Sequence, residues 1–242
     1  MLDDTSGALK DFNQAIAKDP DFAAAYYSRA YIYYNHHKYN KAVKDFEKAS
    51  ELGYKKGKLH YYKGLANYKL GAYEQAEEDF TQALAQNKNY ATAYNDRANA
   101  RLKLGDTLNA LNDYKKAVDI NLDFAIAYNN IGILKRKQGK LEEALENFSF
   151  AIGLKNDFSQ ALNNRGEIKI QLGRYESAVE DFKKSLEINQ SNALAYNNLG
   201  IAYSKLEKYE KDLRAFNQAL EHKNDYGIAY HKRGIKKKKK QE

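Results

Sequence analysis

Shifting the sequence by 34 residues lays it onto itself, and no insertion or deletion breaks the register from the first copy to the last. A chain with a fixed internal period does not enlarge one core. It grows by stacking copies of a supersecondary unit, each burying its apolar face against its neighbours. The stretch from Ala125 to Phe158, AIAYNNIGILKRKQGKLEEALENFSFAIGLKNDF, defines the unit. Apolar and small residues recur at spacings of three and four, first at Tyr128, Ile131 and Gly132, then at Ala144, Leu145, Phe148, Ala151 and Ile152, with Gly139 between the runs. That is the pattern of two amphipathic helices joined by a tight turn.

With Ala125 as place one, the eighth place is always small: Ala30, Gly64, Ala98, Gly132, Gly166, Gly200 and Gly234. The twentieth is Ala8, Ala42, Ala76, Ala110, Ala144 and Ala178, then Asp212, and the twenty-fourth is Phe12, Phe46, Phe80, Tyr114, Phe148, Phe182 and Phe216. The fourth is aromatic except at Leu162, with His60 among its tyrosines. Small residues at eight and twenty let antiparallel helices approach closely, and rings at four and twenty-four fill the space beside them. Composition agrees, since Pro20 is the single proline and 21 tyrosines supply side-chain area to bury. Zero cysteines exclude disulfides and thiolate metal sites without selecting a compartment.

This pattern resembles the tetratricopeptide repeat, in the variant with Arg-Gly or Arg-Ala in the first helix. The resemblance implies an all-α fold, an αα-superhelix or solenoid of 34-residue helix-turn-helix units, over residues 1–235. The expected organisation is a half repeat 1–22, full repeats 23–56, 57–90, 91–124, 125–158, 159–192 and 193–226, a half repeat 227–235 and a polybasic tail 236–242. Departures are few: the turn glycine at place fifteen is replaced by His37 and Glu207, and only Pro20 remains of the family's proline. Both ends fall inside a repeat, which is expected either of a capped array or of a piece of a longer one.

The formal charge of +8 is concentrated, since Lys236 to Lys240 less Glu242 account for half of it. Nucleic-acid or membrane association is therefore not expected of the body, and the tail reads as solvated. No apolar run is long enough to span a bilayer and no secretory leader opens the chain, so a cytoplasmic location is expected. Gly53 to Lys58, GYKKGK, is one residue short of a phosphate loop and is followed by Leu59. His36, His37, His60, His222 and His231 show no metal-ligand spacing, and Glu142 with Glu143 lies on an outer helix face. With no nucleophile and base to name, neither catalysis nor a cofactor or metal is expected.

At 100° per residue, place seven falls on the packing side of the first helix, where a charge needs a partner. Arg29, Lys63, Arg97 and Arg165 at this place coincide with Asp45, Asp79, Asp113 and Asp181 at place twenty-three, while Ile131 and Leu199 coincide with Asn147 and Ala215. Ion pairs within each repeat are expected. Asp212, in an alanine place, is expected to open its contact to water.

Places two, six, nine and thirteen point away from the packing side, with place five at their margin. The family resemblance makes this the concave groove. Its occupants are Tyr27, Tyr31, Tyr61 and Tyr62 towards the N-terminus, then Asn129 and Asn130, Asn163 and Asn164, Asn197 and Asn198, with Lys69, Lys103, Lys137 and Lys205 at place thirteen. Only Asp96 and Glu167 oppose those cations, so a neutral or acidic, extended protein or peptide partner is expected. Asn130, Asn164 and Asn198 resemble the asparagine ladder of O-linked N-acetylglucosamine transferase, which implies a grip on a peptide main chain and side chains that the fold does not need. The carboxylate clamp of chaperone-binding members is not matched in any window. The expected function is a protein-interaction scaffold; the alternative is the recognition arm of a larger multidomain enzyme or signalling protein.

Overall fold

The computed structural model describes residues 5–55, 58–223, 225, 227, 229–230 and 233–235. Helices alternate with short turns throughout, and the chain divides into two compact units, Met1–Leu122 and Asp123–Glu242. The first holds α1 (Thr5–Lys18), α2 (Ala23–Asn35), α3 (Tyr39–Glu51), α4 (Leu59–Leu70), α5 (Tyr73–Gln86), α6 (Ala91–Lys103) and α7 (Thr107–Ile120). The second holds α8 (Ala125–Lys137), α9 (Leu141–Leu154), α10 (Ser159–Gln171), α11 (Tyr175–Ile188), α12 (Ala193–Lys205) and α13 (Tyr209–His222). In each unit α-hairpins stack side by side, and every hairpin is one period of the sequence.

Each first helix ends where place fifteen enters the left-handed region. Gly71, Gly105, Gly139 and Gly173 do so at φ of 80°, 84°, 75° and 74°. His37 and Glu207 follow at φ 57° and 58°, so the hairpin imposes its turn on residues that disfavour it. The close approach is equally demanding. A Cβ on Gly166 would lie 2.6 Å from the Phe182 ring, and one on Gly200 2.6 Å from Phe216. Phe46, Phe80, Phe148 and Phe182 are fully buried against these small places.

Place twenty-seven shows how a polar departure is absorbed. Ser185 replaces alanine at a fully buried position, and the same repeat carries Ser159 at place one. The two hydroxyls lie 2.9 Å apart, and Ser185 Oγ also donates to the Ser159 carbonyl at 3.0 Å.

The expected ion pairs are present in all four repeats. Arg29, Arg97 and Arg165 each hold both oxygens of Asp45, Asp113 and Asp181 through Nε and Nη2 at 2.6–2.9 Å, and Lys63 Nζ lies 3.1 Å from Asp79. The third donor, Nη1, reaches back to place twenty-five of the preceding repeat, to Asn13, Thr81 and Ser149. Place eleven joins the cluster as well: Arg101 and Lys169 reach Asp113 and Asp181 at 2.8 Å, and Asn67 donates to Asp79 at 2.8 Å.

Asp212 departs from expectation. It is fully buried in α13 and does not open to water. Phe216, Ala219 and Leu220 on the same helix are buried beside it, so the hairpin keeps its apolar contact closed around the substitution. No described helix is long and apolar enough to cross a membrane. The Lys236–Lys240 tail, His231, and Lys56 with Gly57 of the GYKKGK string lie outside the described residues.

Candidate binding face

Within each unit successive first helices touch one another, α2 with α4 and α4 with α6, then α8 with α10 and α10 with α12. Along these contacts runs a seam with one rule: place five of a repeat meets place six of the next. Tyr61 Oη donates to Asp96 at 2.8 Å, Asn164 Nδ2 donates to Asn129 Oδ1 at 3.0 Å, and Asn198 Nδ2 donates to Asn163 Oδ1 at 3.3 Å. Helical geometry alone aims these side chains off the hairpin's own packing side; the neighbouring repeat then covers them.

The asparagines therefore do not stand clear of the fold, as the ladder resemblance implied. Asn129, Asn163, Asn164, Asn197 and Asn198 are only 2–8% exposed, while Asn130 is half-buried. A wheel shows one helix, and place five turns out to sit between two. Around Glu167 the seam becomes a network: Asn163 and Asn198 donate to Oε1 at 3.0 and 2.8 Å, and Arg136 pairs with Oε2. Arg136 was not among the residues read from the sequence, because nothing in its own repeat signals a partner 31 residues away.

The tyrosine end is held by ring contacts. Tyr27 stacks on Tyr54 at 4.7 Å, Tyr31 meets Tyr62 edge-on at 4.9 Å, and Tyr61 tilts against Tyr90 at 4.7 Å. Burial, followed by the Asp96 charge, pushes the Tyr61 phenol far above its ordinary range, and burial with the Tyr31 contact pushes Tyr62 up to about 12. Burial also raises Asp96, against the hydrogen bonds from Tyr61, Asn95 and Asn99. Tyr27, Tyr31 and Tyr62 line an open cleft of about 570 Å³ with Phe12, Ile32 and Lys58. Lys69, Lys103, Lys137 and Lys205 are exposed at the ends of their first helices, and none of the four forms an ion pair among the described residues.

Hairpins of fixed length, stacked with first helices in contact, define an αα-repeat protein. Tetratricopeptide repeat models match residues 27–94, 63–130 and 95–157, residues 3–36 and 166–207, and residues 193–226. The chain belongs to the tetratricopeptide repeat family. No curated protein matches it significantly in sequence. Among solved structures it is similar to a chain of the anaphase-promoting complex hetero-tetramer Cut9–Hcn1, with TM-score 0.74 and 15% identity over 96% of this chain and 46% of that one. It therefore spans just under half the length of that chain. It is also similar to the C-terminal part of a TPR repeat-containing protein from Cytophaga hutchinsonii, with TM-score 0.72 and 18% identity over 94% of both chains. A third similar structure is YrrB, described as a TPR protein with an unusual peptide-binding site, with TM-score 0.63 and 22% identity over 78% of this chain and 98% of that one. At these identities the likeness is one of fold.

Proposed function

We propose that this protein is a non-catalytic interaction scaffold that holds an extended, neutral or acidic segment of a partner protein along its first-helix face. The observation that carries this reading is the balance of charge on that face. Asp96 and Glu167 are bonded inward, to Tyr61 and Asn95 and to Arg136, Asn163 and Asn198. The lysines at place thirteen are exposed, so the face offers its cations and keeps its carboxylates. The fold supports the same reading, since stacked repeats present extended surfaces to extended ligands. YrrB, similar in fold, is described by its peptide-binding site.

Within this reading Asn129, Asn130, Asn163, Asn164, Asn197 and Asn198 form the floor in the second unit, and Tyr27, Tyr31, Tyr61 and Tyr62 supply side-chain preference in the first. The floor amides can still meet a peptide, because a carboxamide offers two donors and a two-lone-pair oxygen. Asn197 Oδ1 is buried with no hydrogen-bond partner among the described residues.

The test is a peptide selected by display against the whole chain, followed by the charge reversals Lys137→Glu and Lys205→Glu. Both side chains are exposed, so the helical circular dichroism should not change. Affinity for an acidic peptide should fall about tenfold or more, and the loss should shrink in high salt. Equal affinity in parent and double variant would remove the charge argument and, with it, this assignment of the face.

A further inference from the structure

The second repeat departs from its copies at place four, where His60 replaces the tyrosine of Tyr26, Tyr94, Tyr128 and Tyr196. Tyrosines at this place pack on the second helix of their own repeat: Tyr128 stacks on Phe150 at 5.6 Å, and Tyr196 on His222 at 5.5 Å. The shorter imidazole leaves space at the corresponding spot. A cavity of about 270 Å³ opens there, bounded by Lys55, Lys58, His60, Gln86, Asn87 and Tyr90. No carboxylate lines it among the described residues. His60 Nδ1 is buried with no hydrogen-bond partner among the described residues, and Lys58 Nζ stands 4.8 Å over the Tyr90 ring.

A buried nitrogen without a partner is costly, and its cost is removed by a ligand that can bond it. Two lysines and two carboxamides lining the cavity beside the imidazole select for negative charge. The cavity is slightly smaller than the roughly 300–1,000 Å³ that takes whole small ligands, which suits a head group. We propose that this pocket takes the oxyanion head of a ligand, a phosphoryl or carboxylate group, held by Lys55, Lys58 and an His60 imidazole that takes up a proton from solvent on binding. Burial first, and then the Lys63 ammonium, hold His60 below the ordinary imidazole range. Lys55 and Lys58 add positive charge on the cavity side, and an arriving anion offsets all three ammonium groups. Proton and anion consequently bind with positive cooperativity, each strengthening the other by the same factor. The pocket shares Tyr61 with the seam but none of its asparagines and none of the place-thirteen lysines on which the test of the scaffold rests, so its failure would leave the scaffold reading standing.

The experiment follows the histidine ring resonances of the full chain by NMR as a function of pH, in chloride, inorganic phosphate, methyl phosphate and acetate at equal ionic strength. His60 is assigned by the resonance that disappears in His60→Tyr, the residue its copies carry. In an oxyanion its titration midpoint should rise by roughly one unit, and the rise should vanish in the double variant Lys55→Ala, Lys58→Ala, whose altered side chains are exposed. A rise with both phosphates and not with acetate assigns a phosphoryl head; an equal rise with acetate assigns a carboxylate. A midpoint that is the same in chloride and in all three oxyanions, or a rise that persists without the two lysines, overturns the proposal.

Discussion

Glu207 is a residue held where its own chemistry does not favour it. Its φ of 58° lies in the region that four of its copies occupy with glycine, and a Cβ there costs roughly 1–2 kcal/mol. Glu207 is exposed, so little contact is lost on truncation. Glu207→Gly should therefore stabilise the second unit by about 1 kcal/mol, less the entropy that glycine adds to the unfolded chain, as read by a shift in the denaturant midpoint. His37 is a weaker candidate for the same change, because its Nδ1 lies 2.8 Å from the Tyr39 hydroxyl. A Glu207→Gly variant that unfolds at the parent's midpoint would mean that the hairpin relaxes the strain by other means.

At the scale of the element, the hairpin is fastened by its Arg-Asp pair and the seam by its amides. Arg29 is the one cation paired with Asp45 among the described residues, whereas Asp113 is shared by Arg97 and Arg101. Double-mutant cycles should show coupling of roughly 0.5–3 kcal/mol at both pairs. The larger value should fall at Arg29 and Asp45, because at Asp113 a second arginine remains after Arg97 is removed. Equal or reversed couplings would show that Arg101 does not share the load. In the seam, Asn164→Ala should cost roughly 1–3 kcal/mol, since it leaves the buried Asn129 Oδ1 without its donor. Hydrogen exchange in α8 and α10 should report that loss. An unperturbed Asn164→Ala would return these asparagines to the freely solvated role that their place on a single helix suggests.

At the scale of the whole molecule, the two units should answer acid differently. The fold favours neutral His60, so the unfolded chain protonates first. Stability contributed by His60 is present above the unfolded value of 6.5 and is lost as pH falls through it towards the lower folded value. Asp79 and Asp96, both raised chiefly by burial, act in the opposite sense: the folded chain protonates first, so stability grows as pH falls from their folded values towards 3.8. Between pH 7 and 5.5, amide protection factors in Met1–Leu122 should fall in the parent and hold in His60→Tyr. A fall of the same size in both chains would remove His60 as its cause.

How much of this was legible beforehand follows from which contacts lie inside one period. The hairpin, its small places eight and twenty and its ring at twenty-four were legible because each copy repeats the same physics. The ion pair of places seven and twenty-three was legible for the same reason: both residues appear and disappear together within one repeat. Contacts between repeats were not, since the relevant partner depends on how one hairpin lies on the next. Hence the reach of Arg29, Arg97 and Arg165 to place twenty-five of the preceding repeat, although Lys115 and Lys183 occupy that place before the aliphatic Ile131 and Leu199 and in hindsight mark the rule. Hence also the burial of the asparagines, which one helical wheel leaves facing outward. Periodicity in the sequence determined the repeat, the helices and the composition of the face. Packing between repeats decided which of those side chains remain available, because burial is a property of the neighbour's surface as much as of a residue's own helix.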